Sequence, residues 1–225
     1  MRVLIACEES QAVCKEFRKL GHEAYSCDIL PCSGGHPEWH IQGDVLFTMK
    51  NEEFCTQDGK YHNINKMWDM MIAFPPCTHL AVSGARWFPE KIADGRQQQG
   101  IAFFMALINS NIPKIVVENP IGIMSSKYRK PNQIIQPYFY GDNSKKTTCL
   151  WIKGLPLLKH SKENYVEPEM YICKNGKKFS KDYMVALKSG KDRGKLRSKT
   201  YPGIAKAMAE QWGSTFTSLA KSEEK

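Results

Sequence analysis

The sequence predicts an α/β fold built on a doubly wound, mostly parallel sheet. Three observations carry that reading. Apolar runs of strand length recur through the first half of the chain, stretches with helical signals separate them, and chemically capable residues fall just after several of the runs. In such sheets ligands bind outside the carboxyl ends of the strands, so the residues at those ends are the natural candidates for a composite site.

Taken in order, Arg2 to Cys7 is an apolar run suited to a strand covered on both faces. Ser10 can cap a helix running to about Leu20, where Gly21 is a natural stop. Glu23 to Asp28 reads as a second strand, and Gly43-Asp44-Val45 as the end of a third. Met70 to Phe74 is a fourth, stopped by Pro75-Pro76. One long helix is predicted from about Ile92 to Asn109, with Ile101, Phe104, Met105 and Ile108 on one face. Ile115-Val116-Val117 makes a fifth buried strand ending at Pro120, and Cys149 to Ile152 a sixth. Pro202 opens a last helix through Ala205, Met208, Ala209 and Trp212, proline being well placed in a first turn. The stretch Lys159 to Lys199 is polar and weakly periodic and is expected to be a loop-rich excursion from one 225-residue domain.

Composition narrows the class. A hydrophobic fraction of 42% with 24% charged residues is that of a globular chain. No apolar run reaches the ~18 residues needed to span a bilayer, and Met1 to Cys7 followed by Glu8-Glu9 does not read as a secretory signal. A cytoplasmic protein is expected, with its 8 cysteines as free thiols. Lysine and arginine number 32 against 23 aspartate and glutamate, and a net charge of +9 attracts polyanions, nucleic acid first. Ten of those cations lie between Lys174 and Lys199 (Lys174, Lys177, Lys178, Lys181, Lys188, Lys191, Arg193, Lys195, Arg197 and Lys199), with Phe179, Tyr183 and Tyr201 interleaved. Such a segment can track phosphates while its aromatics pack or stack.

Two segments carry the chemistry. In Ala73-Phe74-Pro75-Pro76-Cys77-Thr78-His79 a cysteine follows a buried strand and a stiff double-proline corner, a position that can hold a nucleophile near attack geometry. His79 and Arg86 are local cations that could activate its thiol. In Ile115-Val116-Val117-Glu118-Asn119-Pro120 a carboxylate directly follows an apolar strand. Burial there would raise its pKa and fit it to donate a proton near neutrality. Cys27, Cys32, His36 and His40 invite a zinc reading, but the pairs are spaced unlike a zinc finger, and no metal is expected.

A Pro-Pro-Cys loop and a Glu-Asn-Pro loop on strand ends together resemble the DNA cytosine-C5 methyltransferase family, and this likeness covers roughly Met1 to Ile123 with a return near Ser198 to Trp212. A closer likeness, to small phage- and prophage-encoded DNA methylase-like proteins, rests on the phrases from His79 to Trp87 and from Cys149 to Pro156. The resemblance implies a Rossmann-like fold that uses S-adenosylmethionine and no metal, with a flipped cytosine in DNA as substrate. It implies Cys77 as the nucleophile toward carbon 6, Glu118 as its acid partner at the ring nitrogen, and Asn119 beside it. It further implies that Cys7, Glu8, Glu9, Ser10, Asp28, Ile29, Asp44, Val45 and Pro75 surround the cofactor. Pro76, Arg86, Lys127, Arg129, Lys130 and Lys146 would then meet the DNA.

The chain departs from the family pattern in three places. Ala6-Cys7-Glu8-Glu9-Ser10-Gln11 stands where the family has a glycine-rich loop, so Glu8, Glu9 or Ser10 is expected to meet the donor's amino group. Lys145-Lys146-Thr147-Thr148 occupies the interval of an arginine-bearing motif. No large target-recognition domain fits between Trp151 and Ser198, which leaves specificity short or relaxed, or the substrate other than ordinary duplex DNA. Two further readings stay open: a pyrimidine-modifying enzyme with another donor or a nucleotide substrate, and a non-catalytic DNA-binding protein that keeps the fold.

Overall fold

The computed structural model describes residues 1–188, 190, 194 and 198–214; Lys191, Arg193, Lys195 and Arg197 of the basic run lie outside the described residues. Seven strands form the central sheet: β1 (Arg2–Ala6), β2 (Glu23–Asp28), β3 (His40–Gln42), β6 (Met70–Ala73), β7 (Lys114–Pro120), β8 (Gln133–Ile135) and β9 (Thr148–Lys153). Their order is β3-β2-β1-β6-β7-β9-β8, and β9 runs antiparallel to both its neighbours while the pairings among β1, β2, β3, β6 and β7 are parallel. Numbered within this sheet alone the order is 3-2-1-4-5-7-6, a doubly wound, Rossmann-like arrangement. The expected doubly wound sheet is present, with β8 an additional strand too short to announce itself in the sequence.

Helices cover both faces. On one side α1 (Ala12–Lys19) and α7 (Pro202–Gly213) pack through Val13, Phe17, Ile204, Met208 and Trp212 onto Val3, Ile5, Met70, Ile72 and Val116. On the other, α2 (Val45–Thr48) and α4 (Arg96–Ile108) contribute Val45, Phe104, Leu107 and Ile108 to a core with Leu4, Met71, Ile115, Val117 and Trp151. Alternate residues of each strand thus feed opposite cores, which is why the strands read as unbroken apolar runs rather than alternating ones. Three fully buried tryptophans each find an acceptor for the indole N–H: Trp68 at Thr48 O, Trp151 at Arg129 O and Trp212 at Pro156 O.

Several local expectations are corrected. Ser10 does not cap α1; the carboxylate of Glu8 accepts the Val13 and Cys14 amides at 2.7 and 3.2 Å, a stronger partner for a helix amino end than a hydroxyl. The single helix expected from Ile92 is two, α3 (Phe88–Ala93) and α4, because Gly95 takes a left-handed φ of 80° and Asp94 accepts the Arg96 amide to start afresh. Asp44 and Val45 lie past β3, where Asp44 caps α2 by accepting the Leu46 amide. The excursion contains regular structure, an antiparallel hairpin of β10 (Met170–Ile172) and β11 (Lys178–Ser180) followed by α6 (Lys181–Lys188). A second hairpin, β4 (Glu53–Cys55) with β5 (Tyr61–Asn63), escaped the sequence reading. Among the described residues no helix is long and apolar enough to cross a membrane.

Candidate active site

The parallel registers Ala6↔Cys27, Ala6↔Ala73 and Ala73↔Val117 bring the carboxyl ends of β2, β1, β6 and β7 level along one edge of the sheet. Strand order reverses between β1 and β6, so the crevice natural to such sheets opens there, between Cys7 and the Phe74-Pro75 turn. Cys7 leaves β1 with φ 60° and Gln11 follows with φ 57°, left-handed positions that glycine would occupy without cost. Holding a side-chain-bearing residue there costs about 1–2 kcal/mol. The turn therefore keeps a glycine loop's shape without glycine. Its amides at Cys7 and Glu8 both donate to the Cys27 carbonyl, at 2.7 and 3.2 Å.

Around that turn the expected cofactor residues divide. The Cys7 thiol is pushed far up, first by burial and then by the charges of Asp28 and Asp44 and the Cys27 thiol, which puts these groups in one neighbourhood. Asp28 and Asp44 use one oxygen each on the amides of Leu30 and Leu46, and Ile29 is 75% exposed at the same edge. Val45, by contrast, packs into the core. Glu8 is turned inward onto α1, and burial raises its carboxyl to about 7 against the pull of the two helix amides; it is a helix cap and not a wall of the crevice. Glu9 accepts a short hydrogen bond from the Ser33 hydroxyl, and its carbonyl accepts the Ser33 amide at 2.8 Å. The buried Gln11 amide pairs with both the carbonyl and the amide of His36. Gly34 lies so close that a Cβ there would meet the Ser10 carbonyl at 2.6 Å. The loop after β2 is thereby stitched over the turn after β1, and His40, which opens β3, is committed to Ser26 Oγ and the Leu30 carbonyl.

The two chemical segments are clamped together. The buried Asn119 side chain donates from Nδ2 to the Pro75 carbonyl at 3.0 Å. Further out, Val82 N donates to Ile121 O and Ile123 N to Leu80 O, both at 3.0 Å, framing an Ala81↔Gly122 bridge. A Cβ on Gly122 would meet the Leu80 carbonyl at 2.3 Å, so only glycine permits this approach. Pro75 is buried and Pro76 exposed, and Cys77 is half-buried on the loop so held, with its carbonyl accepting the Leu80 and Ala81 amides. Cys77 therefore stands on a loop braced to the carboxyl end of β7, the strand that carries Glu118, at the same sheet edge.

Electrostatics distinguishes the groups near them. Burial pushes the Glu118 carboxyl up, opposed by the positive charge of Lys146 and a hydrogen bond from Thr148. The neighbouring Cys149 thiol is raised to about 11 by burial and then by Glu118. Asn119 Oδ1 is buried and has no partner, an unmet acceptor beside the carboxylate. His79 is held below its ordinary pKa by burial and then by Lys91 and Arg96, which disfavours the cation it was expected to supply. Arg86 is exposed and lies over the Trp87 ring. The cation tied into the Cys77 loop is one the sequence reading missed, the buried Lys91, whose ammonium donates to the Thr78 carbonyl at 2.6 Å. A lysine on a short helix nearby gave no signal of that contact.

Lys146 reaches the site, and Lys127 and Lys130 are exposed beyond the Glu118 loop. Arg129 faces elsewhere. Its guanidinium bonds to Asn132 Oδ1 and the Ile152 carbonyl and borders a groove with Asn109 and Lys153, toward the amino end of β7.

No family model and no curated protein matches the chain. Among solved structures it is similar to an E. coli protein provisionally described as a DNA modification methyltransferase encoded within a prophage, at 17% identity and a TM-score of 0.43. That similarity covers 75% of this chain and 51% of the other, so the chain spans about half the length of the protein it resembles.

Proposed function

We propose that this chain is a DNA methyltransferase that transfers a methyl group from S-adenosylmethionine to carbon 5 of cytosine through a covalent Cys77 adduct. The observation that carries the reading is the brace between the two segments, Asn119 to Pro75 and Gly122 against Leu80, which supports a thiol and a half-buried carboxyl sharing the ligand edge of the sheet. The resemblance described above gives that pair its chemistry.

In this reading the Cys77 thiolate forms a bond from Sγ to carbon 6 of the ring, and the electrons of the 5,6 double bond shift toward carbon 5. Glu118, kept protonated to higher pH by burial, donates to ring nitrogen 3 and absorbs the charge that develops there. Asn119 holds the Glu118 strand end to the Pro75 turn, so neither partner has to reorganise as the bond forms. S-adenosylmethionine, when bound, would supply an electrophilic methyl group to carbon 5 and leave as S-adenosylhomocysteine. The carbon-5 proton then passes to solvent, the sulfur–carbon bond breaks, the double bond re-forms, the proton on nitrogen 3 returns to Glu118 and the Cys77 thiolate is regenerated. The base must leave the stack for Cys77 to reach its carbon 6.

The crevice fits the donor in composition. Asp28 and Asp44 offer carboxylates for hydroxyl and amine groups, the exposed Ile29 offers an apolar face, and the left-handed turn at Cys7 directs backbone toward the opening. Glu8 is left out because its carboxylate is spent on α1. On the DNA side Pro76, Arg86, Lys127, Lys130 and Lys146 are retained as contacts, and Arg129 is not.

The test is incubation with labelled S-adenosylmethionine and DNA of varied sequence, single- and double-stranded, alongside a 5-fluorocytosine substrate. Transfer to cytosine and a covalent complex that Cys77→Ala abolishes are expected. Absence of transfer across all substrates removes methylation as the function.

A further inference from the structure

Tyr201 takes no part in the mechanism above, yet four segments converge on it. Its hydroxyl lies 2.8 Å from Ser144 Oγ and donates to Asp182 Oδ2 at 3.0 Å, tying the loop before β9 to α6. Its ring stands 5.8 Å from the Lys146 ammonium, within cation–π reach. Its backbone is fixed by the start of α7, where Gly203 N donates to Asp142 Oδ2 and a Cβ on Gly203 would meet the Tyr140 carbonyl at 1.9 Å. The tyrosine is thus immobilised at its hydroxyl and at its backbone, and it offers a ring face to one lysine.

That lysine lies near the carboxyl end of β7, because β9 pairs Thr148 with Pro120 two residues past Glu118, and its charge acts on that carboxyl. Side chains alternate along a strand, so Glu118 emerges on the same face as Val116, the face that α7 covers. Thr148, two residues after Lys146, hydrogen-bonds Glu118 and fixes the chain leading into β9, but the four-carbon stem of Lys146 remains to be held. We propose that Tyr201 is a positioning residue, its ring holding the Lys146 ammonium beside Glu118. This inference uses the reading above only in naming what the carboxyl is for; the geometry it rests on is independent of the donor and of DNA.

The groups bearing on Glu118 are Lys146 and Thr148 from the β9 side and the Cys149 thiol on β9. Asp142 and Asp182 lie beyond Tyr201. Removing a cation's influence must raise the midpoint at which Glu118 titrates. The measurement is carboxyl-carbon NMR titration of the protein alone, labelled at glutamate and assigned with Glu118→Gln. Lys146→Met is expected to raise the midpoint by about one unit and Tyr201→Leu by about half a unit. The double variant is expected to match Lys146→Met.

An unmoved midpoint in Tyr201→Leu, or a further rise when it is added to Lys146→Met, overturns the proposal. Should Tyr201→Leu fail to fold by circular dichroism, Tyr201→Phe with Ser144→Ala removes the anchors and keeps the ring. It is expected to give a smaller rise in the same direction, and no rise overturns the proposal equally. If wild type transfers no methyl group, the proposed function fails while this titration still decides the role of Tyr201.

Discussion

Glu8 and Glu118 each follow an apolar strand, and burial raises both carboxyls, to about 7 for Glu8. Only their surroundings separate a cap from a candidate acid. Glu8 faces two amides inside the fold, whereas Glu118 faces a lysine and a threonine. The sign of the Glu8 effect on stability is fixed by linkage. Its folded pKa lies above its unfolded value of 4.5, so the native state retains the proton that the unfolded chain loses. Stability from this group is intact below the unfolded value and falls as pH rises toward 7, by up to about 3 kcal/mol. Urea unfolding of wild type and Glu8→Gln between pH 5 and 8 is expected to show the variant gaining relative to wild type across that window. A pH-independent difference contradicts it. For the chemistry, Cys77→Ala is expected to lower methyl transfer by about a thousandfold or more. Glu118→Gln, which keeps the shape but not the acid, is expected to lower it by about a hundredfold.

At the scale of elements, the brace between the two loops makes a sharper demand than either strand. Gly122→Ala must push a methyl group against the Leu80 carbonyl, which is backbone and cannot swing away. Overpacking of this kind costs about 1–3 kcal/mol. The expected result is a lowered melting temperature together with a loss of methyl transfer greater than the unfolded fraction explains; full activity in a folded variant argues that the loops act separately. Lys91 presents the same logic from beneath the nucleophile's loop. Lys91→Met leaves the Thr78 carbonyl without its ammonium and is expected to slow alkylation of Cys77 by iodoacetamide several-fold at fixed pH. The division of the predicted long helix into α3 and α4 serves this site too, since Lys91 lies on α3 and Gln97, on α4, donates to the His79 carbonyl.

For the whole molecule, the charge of +9 ties any DNA affinity to salt. Lysines and arginines that neutralise phosphates release counterions, so log affinity must fall linearly with log salt. A fall of about tenfold or more between 50 and 200 mM salt is expected in a fluorescence anisotropy titration with duplex or single-stranded DNA. Affinity indifferent to salt removes nucleic acid as the partner of the basic face. Lys174, Lys177 and Lys178 on the β10–β11 hairpin are exposed and available to phosphates.

The doubly wound, mostly parallel sheet, the burial of its central strands and the placing of Cys77, Asp28 and Glu118 near strand ends were legible in the sequence. Each follows from apolar runs of fixed length and from the prolines and glycines that stop them, which are local properties of the chain. The contacts that make those positions a site were decided only by tertiary structure. Glu8 pointed at α1 and away from the crevice, Arg129 facing the far end of β7, Lys91 under Thr78 and Tyr201 behind Lys146 all depend on segments distant in sequence meeting in space. A pattern of residues records where a strand ends. Which way a charged side chain turns there depends on the partner that offsets its desolvation, and that partner is known only once the chain has folded.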